Sequence, residues 1–239
     1  MVGGPARGPM TLTPQDAAKK AAAEAACKHV RDGTVVGLGT GSTADFAVRH
    51  LGERVKEGLR IQGVPTSIKT EKLAREVGIP LVDLNEVEAI DVTIDGADEV
   101  DPKLDLIKGL GGALLREKVV ASLSAREIIV VDPSKVVPKL GTKSPLPVEV
   151  LPFGWAVVER RLRKEGYHPT LRQREGKPVV TDNGNLVLDV RFADGIADAR
   201  ALEKDLNNVP GVVENGLFLG MTWRVVVGDP TGQIRELSR

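Results

Sequence analysis

Three stretches of the chain bring together residue types that can do chemistry. The first, Gly37-Leu38-Gly39-Thr40-Gly41-Ser42-Thr43, holds three glycines and three hydroxyls in seven residues. Glycines let the backbone turn tightly and leave consecutive N–H groups free. A helix beginning at Ser42 would add the partial positive charge of its N-terminus, so the stretch suits a phosphate. A plain turn with Ser42 as helix cap would need fewer such residues. A dinucleotide fingerprint would need a glycine where Ser42 stands, and an acid after the next strand, which instead closes on Val64-Pro65-Thr66-Ser67. No Gly-Lys-Ser/Thr follows, so this is not a Walker loop.

The second stretch is Asp95-Gly96-Ala97-Asp98-Glu99-Val100-Asp101, at the end of an apolar run. Such crowded carboxylates raise one another's pKa unless cations or amides offset them. Three readings stand: a metal cluster, acid–base work, or a solvated loop. An EF-hand starting at Asp95 fails, because Leu106 occupies the twelfth position. Magnesium held by Asp95 and Asp98 stays open, while Glu99 and Asp101 read as solvated.

The third stretch runs from Lys108 through Gly109, Leu110, Gly111 and Gly112 to Arg116-Glu117-Lys118. A lysine and glycines at a helix start again suit an anion. Glu117 has Ala113 and Ala121 one turn to either side and Val120 close by. A carboxyl among small apolar neighbours would have the raised pKa of a general base. Between Arg116 and Lys118 it reads equally well as a solvated charge. Lys135, in Val131-Asp132-Pro133-Ser134-Lys135, is either a second phosphate cation or a solvated lysine. Cys27 reads as core, and His29, His50 and His168 have no partner that spacing identifies.

These stretches need a frame. Residues 1–11 are read as a flexible tail. Thr13 and Pro14 form a helix start before an alanine-rich run to Val30. Short strands are predicted at 34–38, 59–64, 91–94 and 127–131, with helices at 42–56, 69–77 (closed by Gly78) and 111–123. Strands alternating with helices predict a parallel sheet covered on both faces, with ligands beyond the strands' carboxyl ends. The loops after Leu38, Val64, Ile94 and Val131 should then share one rim. From Pro145 the pattern becomes βαββαβ, as in a ferredoxin-like antiparallel unit, and a final hairpin turns at Asp229–Gly232. The fold class expected is α/β: a Rossmann-like domain (12–144 and 211–239) with a smaller inserted α+β domain (145–210).

Composition excludes several alternatives. Lys+Arg and Asp+Glu both number 33, so no basic excess marks a nucleic-acid binder. One cysteine permits neither an intrachain disulfide nor a cysteine-built metal site. Aromatic residues at 3% give no platform for stacked bases. No apolar run approaches the ~20 residues of a membrane span, and no signal-peptide core is visible. A cytoplasmic protein is expected.

Taken together, the stretches resemble the type A family of ribose-5-phosphate isomerases. The resemblance rests on GLGTGSTA (37–44), PTSIKTEKLA (65–74), TIDGADEVD (93–101), KGLGGALLREK (108–118), VDPSK (131–135), PLPVEVLPFG (145–154), VVTDNGN (179–185) and PGVVENGLF (210–218). It implies interconversion of D-ribose 5-phosphate and D-ribulose 5-phosphate in the non-oxidative pentose phosphate pathway, without metal or other cofactor. It implies Glu117 as proton acceptor. It also implies substrate contacts from Thr40, Gly41, Ser42 and Thr43, from Asp95, Gly96, Ala97 and Asp98, from Lys108, Gly109, Leu110 and Gly111, and from Lys135. A homodimer or homotetramer is expected, with a small sugar phosphate as the partner molecule. The enediolate of such a reaction needs a donor, for which Lys108 and nearby glycine N–H groups are the natural choices. Ring opening needs a second acid–base group, Asp95 first and Asp98 second. A non-catalytic sugar-phosphate sensor would have no need of Glu117, and a nicotinamide enzyme would need the missing ribose acid.

Overall fold

The first helix starts where its capping residues dictate. In the computed structural model, which describes residues 13–238, α1 (Pro14–Cys27) opens with the Asp16 N–H donating to Thr13 Oγ1 at 3.1 Å. The tail expected over residues 1–11 lies outside the described residues. α1 buries Ala18, Ala22, Ala23, Ala26 and Cys27, short side chains that let it lie close on its neighbours. It stops short of the expected Val30, because the N–H groups of Lys28, His29 and Val30 bond three residues back in a tightened final turn.

Next come β1 (Thr34–Leu38), α2 (Ser42–Lys56), β2 (Ile61–Pro65), α3 (Ile68–Val77) and β3 (Val92–Asp95). Two short strands, β4 (Glu99–Val100) and β5 (Leu106–Ile107), precede α4 (Leu114–Leu123) and β6 (Glu127–Val131). The chain then forms β7 (Leu146–Val150), α5 (Trp155–Lys164), β8 (His168–Leu171), β9 (Gln173–Arg174), β10 (Lys177–Pro178), β11 (Leu186–Arg191), α6 (Ala199–Asn207) and β12 (Val212–Asn215). It ends with β13 (Leu217–Phe218), β14 (Thr222–Gly228) and β15 (Ile234–Ser238).

The main sheet has six strands in the order β15-β14-β6-β3-β1-β2. All neighbours run parallel except β15, which the Asp229–Gly232 turn folds back against β14. The sheet is therefore mixed rather than parallel throughout, since so short a turn can only join antiparallel strands. The chain's winding reverses between β1 and β3, and the crevice at such a reversal is where open α/β sheets bind ligands. The carboxyl ends of β1, β2, β3 and β6 share one rim, as expected.

A second sheet, β12-β7-β11-β8, is antiparallel and packs a core including Leu146, Val148, Val150, Leu162, Leu188 and Leu206 against α5 and α6. Each such buried side chain contributes about 1.5–3 kcal/mol. β12 (Val212–Asn215) pairs with β7 and so belongs to this sheet. A third sheet, β13-β5-β4, was not foreseen; strands of two residues carry no readable alternation. α4 begins at Leu114 rather than at Gly111, because Gly109 and Gly112 take φ values of 102° and 82°, outside the helical region. Among the described residues no helix is long and apolar enough to cross a membrane.

Candidate active site

The turn after β1 passes directly over the end of β3. A Cβ on Gly39 would meet Asp95 Oδ1 at 2.3 Å, so only glycine permits the approach. The Thr40 and Gly96 N–H groups then donate to Asp95 Oδ1 at 3.0 and 2.7 Å. α2 is capped by Gly41 at φ 122° with no side-chain hydrogen bond, which leaves its first N–H groups for a ligand. Beside it lies a cavity of about 120 Å³ lined by Thr40, Gly41, Ser42, Thr43, Gly96, Ala97, Asp98, Lys108, Gly109, Gly111, Glu117 and Lys135.

Lys108 stands at the centre of the charges. It is 2% exposed, and its Nζ lies 3.0 Å from Asp95 Oδ2 and 3.6 Å from Glu117 Oε1. It also donates to the Gly96 carbonyl and sits 5.4 Å from the centre of the Phe218 ring. Burial works against its charge, but Asp95, Glu117 and Glu127 outweigh burial and hold its pKa above that of an ordinary lysine. Asp95, read from sequence as either a proton-transfer group or a metal ligand, thus already faces a cation.

Glu117 is 4% exposed, and its Oε2 has no hydrogen-bond partner among the described residues. Burial pushes its carboxyl up to about 8; Lys108 pulls it back, while Asp95, Asp98 and Glu127 add to the rise. Asp98 is also raised by burial, against the Leu110 N–H that donates to its Oδ2 at 2.9 Å and the charges of Lys108, Lys135 and Arg172. Behind them, on β6, Glu127 is 1% exposed with both oxygens unpartnered among the described residues, and burial pushes it to about 7.

Glu127 yields a stability prediction with a definite sign. Its pKa is raised in the folded protein, so between about 4.5 and 7 the folded state binds more protons than the unfolded chain and stability falls as pH rises. Glu127→Gln removes that penalty. Its Tm should match the parent's near pH 5, exceed it increasingly as pH rises through about 7, and keep a steady margin from there to pH 9; thermal melts across that range check it, and a difference that is the same at pH 5 and pH 9 would contradict it.

The family model for ribose 5-phosphate isomerase A (phosphoriboisomerase A) matches residues 62–232. Ribose-5-phosphate isomerase A of Thermosynechococcus vestitus is 53% identical over 226 residues, 92% of this chain and 95% of that protein. The chain belongs to the ribose 5-phosphate isomerase A family. The protein of the same description from Thermomicrobium roseum is 54% identical over 224 residues, 93% of this chain and 94% of its own. A solved D-ribose-5-phosphate isomerase in complex with phospho-erythronic acid superposes with a TM-score of 0.88 at 44% identity, covering 92% of this chain and 97% of that one.

Of the residues singled out from sequence, the cavity gathers Thr40–Thr43, Gly96–Asp98, Lys108, Gly109, Gly111, Glu117 and Lys135. Leu110 is not among its lining: its side chain is 40% exposed, and the residue acts through its backbone N–H to Asp98. Asp95 lies beneath the cavity, against Lys108. The Thr40 N–H is held by Asp95, and its hydroxyl is engaged with Thr66 Oγ1 at 2.7 Å, Ser67 Oγ at 2.8 Å and Thr70 Oγ1 at 3.1 Å. That buried hydroxyl cluster buttresses the glycine loop and was missed, though its sequence signal was present: hydroxyls in Pro65–Thr70 at the end of a rim strand. Glu99, read as solvated, is fully buried; its carboxylate collects the N–H groups of Gly141, Lys143 and Ser144 and fixes that loop.

Proposed function

We propose that this chain interconverts D-ribose 5-phosphate and D-ribulose 5-phosphate through an enediolate, with Glu117 moving the proton between carbons 2 and 1. The observation that carries the reading is the free Oε2 of a buried Glu117, on a cavity that is also lined by an uncapped helix N-terminus. A phosphate at that N-terminus meets the α2 N–H groups, Ser42, Thr43 and Lys135, and anchors the sugar with binding energy remote from the reacting carbons. The sugar then reaches towards Glu117. In its ionised form Glu117 accepts the carbon 2 proton and returns it to carbon 1, catalysis of a kind that contributes about 10²–10⁴-fold. Negative charge develops on the sugar oxygens, where Lys108 and the N–H groups of Gly109 and Gly111 stand as donors.

Ring opening falls to Asp98 in this account. It lines the cavity and has a raised pKa, so it can exchange a proton with the ring oxygen, whereas Asp95 holds Lys108 in place. The phospho-erythronic acid bound by the solved relative supports the reading: its flat carboxylate shares the geometry of an enediolate next to a phosphorylated chain.

The same proposal includes a Rossmann-like unit interrupted by a ferredoxin-like βαββαβ unit over 146–215, a cytoplasmic setting, and a homodimer or homotetramer. The exposed side chains of Leu151, Phe153 and Val157 support a covered face in an oligomer; a single-chain mass in solution would contradict it.

The test is conversion of ribose 5-phosphate by chelator-treated protein without added nucleotide. Turnover is expected; binding without turnover would instead favour a sensor. Lys135→Ala should raise KM about tenfold or more with kcat little changed, since its contact is to a group that does not react. A fall in kcat at constant KM would move Lys135 into the chemistry.

A further inference from the structure

We propose that Arg172, held by Asp189, is a positioning residue that fixes the Lys108–Gly111 loop through its carbonyl oxygens, so that the antiparallel unit governs turnover. The inference rests on the isomerase reading and adds to it a residue far in sequence from the loop it holds.

Arg172 follows β8, and its backbone is fixed on two sides. Its N–H donates to the Val187 carbonyl at 2.8 Å, and its own carbonyl accepts the Val179 N–H at 3.0 Å. The side chain is 12% exposed. Nε and Nη2 donate to the two oxygens of Asp189 on β11, Nε at 2.9 Å. This fork-on-carboxylate pairing sets the plane of the guanidinium. Nη1 is left to face the loop, and it donates to the Gly109 carbonyl at 2.9 Å and the Leu110 carbonyl at 3.1 Å.

Holding those two carbonyls aims the N–H groups on the other side. The C=O and N–H of a trans peptide point in opposite directions, and no cis peptide occurs among the described residues. With the Gly109 carbonyl on Arg172, the Leu110 N–H points away from it and reaches Asp98 Oδ2 at 2.9 Å. With the Leu110 carbonyl also on Arg172, the Gly111 N–H is turned to the cavity side. It has no protein acceptor among the described residues, and Gly111 lines the cavity. The loop has one backbone bond of its own, the Gly112 N–H to the Gly109 carbonyl at 3.0 Å, and three glycines with little conformational preference, so the clamp on the Gly109 and Leu110 carbonyls adds what the turn alone does not fix.

The test compares the parent with Arg172→Met, Arg172→Lys and Asp189→Asn. Arg172→Met should lower kcat for ribose 5-phosphate about 10–100-fold, because small misplacement of positioned groups is that costly, with KM within about threefold. Arg172→Lys should recover little of the loss, since one ammonium cannot hold Asp189 and two carbonyls at once. Asp189→Asn should lose less, and the Arg172→Met/Asp189→Asn pair should be no worse than Arg172→Met alone. Hydrogen exchange of the 108–112 amides, read without substrate, should be faster in Arg172→Met than in the parent. Exchange at the parent's rate overturns the clamp, as does faster exchange with kcat within twofold of the parent. A parent without turnover would overturn the isomerase reading alone, and the exchange result would still judge the clamp.

Discussion

Glu117→Gln should lower kcat by roughly 10²–10⁴-fold while leaving KM within a few-fold of the parent, the signature of an interaction made only in the transition state. Glutamine keeps the size of the side chain and removes its negative charge and its capacity to take a proton, while Asp95 still answers Lys108 at 3.0 Å. The site should stay folded and still bind sugar phosphate, because the anion wall at Ser42, Thr43 and Lys135 is untouched. The parent carries a matching pH signature. Glu117 works as a base only when ionised, and its carboxyl stands at about 8, so kcat/KM should climb with pH through a limb near that value. An acid limb at the ordinary carboxylate range would mean that the working base is solvated, and Glu117 is not.

Lys108→Met has the second-largest effect, and it strikes activity and stability together. Loss of one preorganised donor to the developing oxyanion costs about 10²–10³-fold in kcat. Loss of the cation also leaves Asp95 and Glu117 buried without the charge that answers them at 3.0 and 3.6 Å. Removing one partner of a buried ion pair costs about 3–5 kcal/mol, so Tm should fall sharply. Because Lys108 pulls the Glu117 pKa down, its removal moves that pKa further up, and residual activity should peak at higher pH than in the parent. Steady-state kinetics across pH together with a melting curve check both. Unchanged stability would mean that the carboxylates do not depend on Lys108 for compensation.

The sequence carried the frame of this site further than its detail. Thr13-Pro14, Gly78 and the Asp229–Gly232 turn act through local hydrogen bonds and fixed dihedrals, and each behaves as its residue types require. The glycine loop was legible because anion binding by backbone needs glycines next to each other in the chain. Glu117 was not, since Arg116-Glu117-Lys118 reads the same on a wet or a buried helix face. What decides is tertiary: α4 places Glu117 against Lys108, nine residues earlier, in a region closed to water. The reading of Gly111 as helix failed because composition does not reveal a positive φ at Gly112. Glu99 was misread for a related reason, as its partners at 141–144 lie 42 to 45 residues on. Arg172 had no local signal, for its contacts to the loop are to carbonyl oxygens, which every residue offers, and its carboxylate partner Asp189 lies on another strand.

The most direct test of the central claim, that one carboxylate moves the proton between carbons 2 and 1, is made in D₂O. The carbon 2 proton of ribose 5-phosphate is followed by NMR with the parent and with Glu117→Gln, each saturated with substrate. The parent should replace that proton with deuterium as the enediolate forms and is reprotonated, while Glu117→Gln, with substrate bound, should leave it in place. Exchange by Glu117→Gln at the parent's rate would contradict the account and assign the proton transfer to another group.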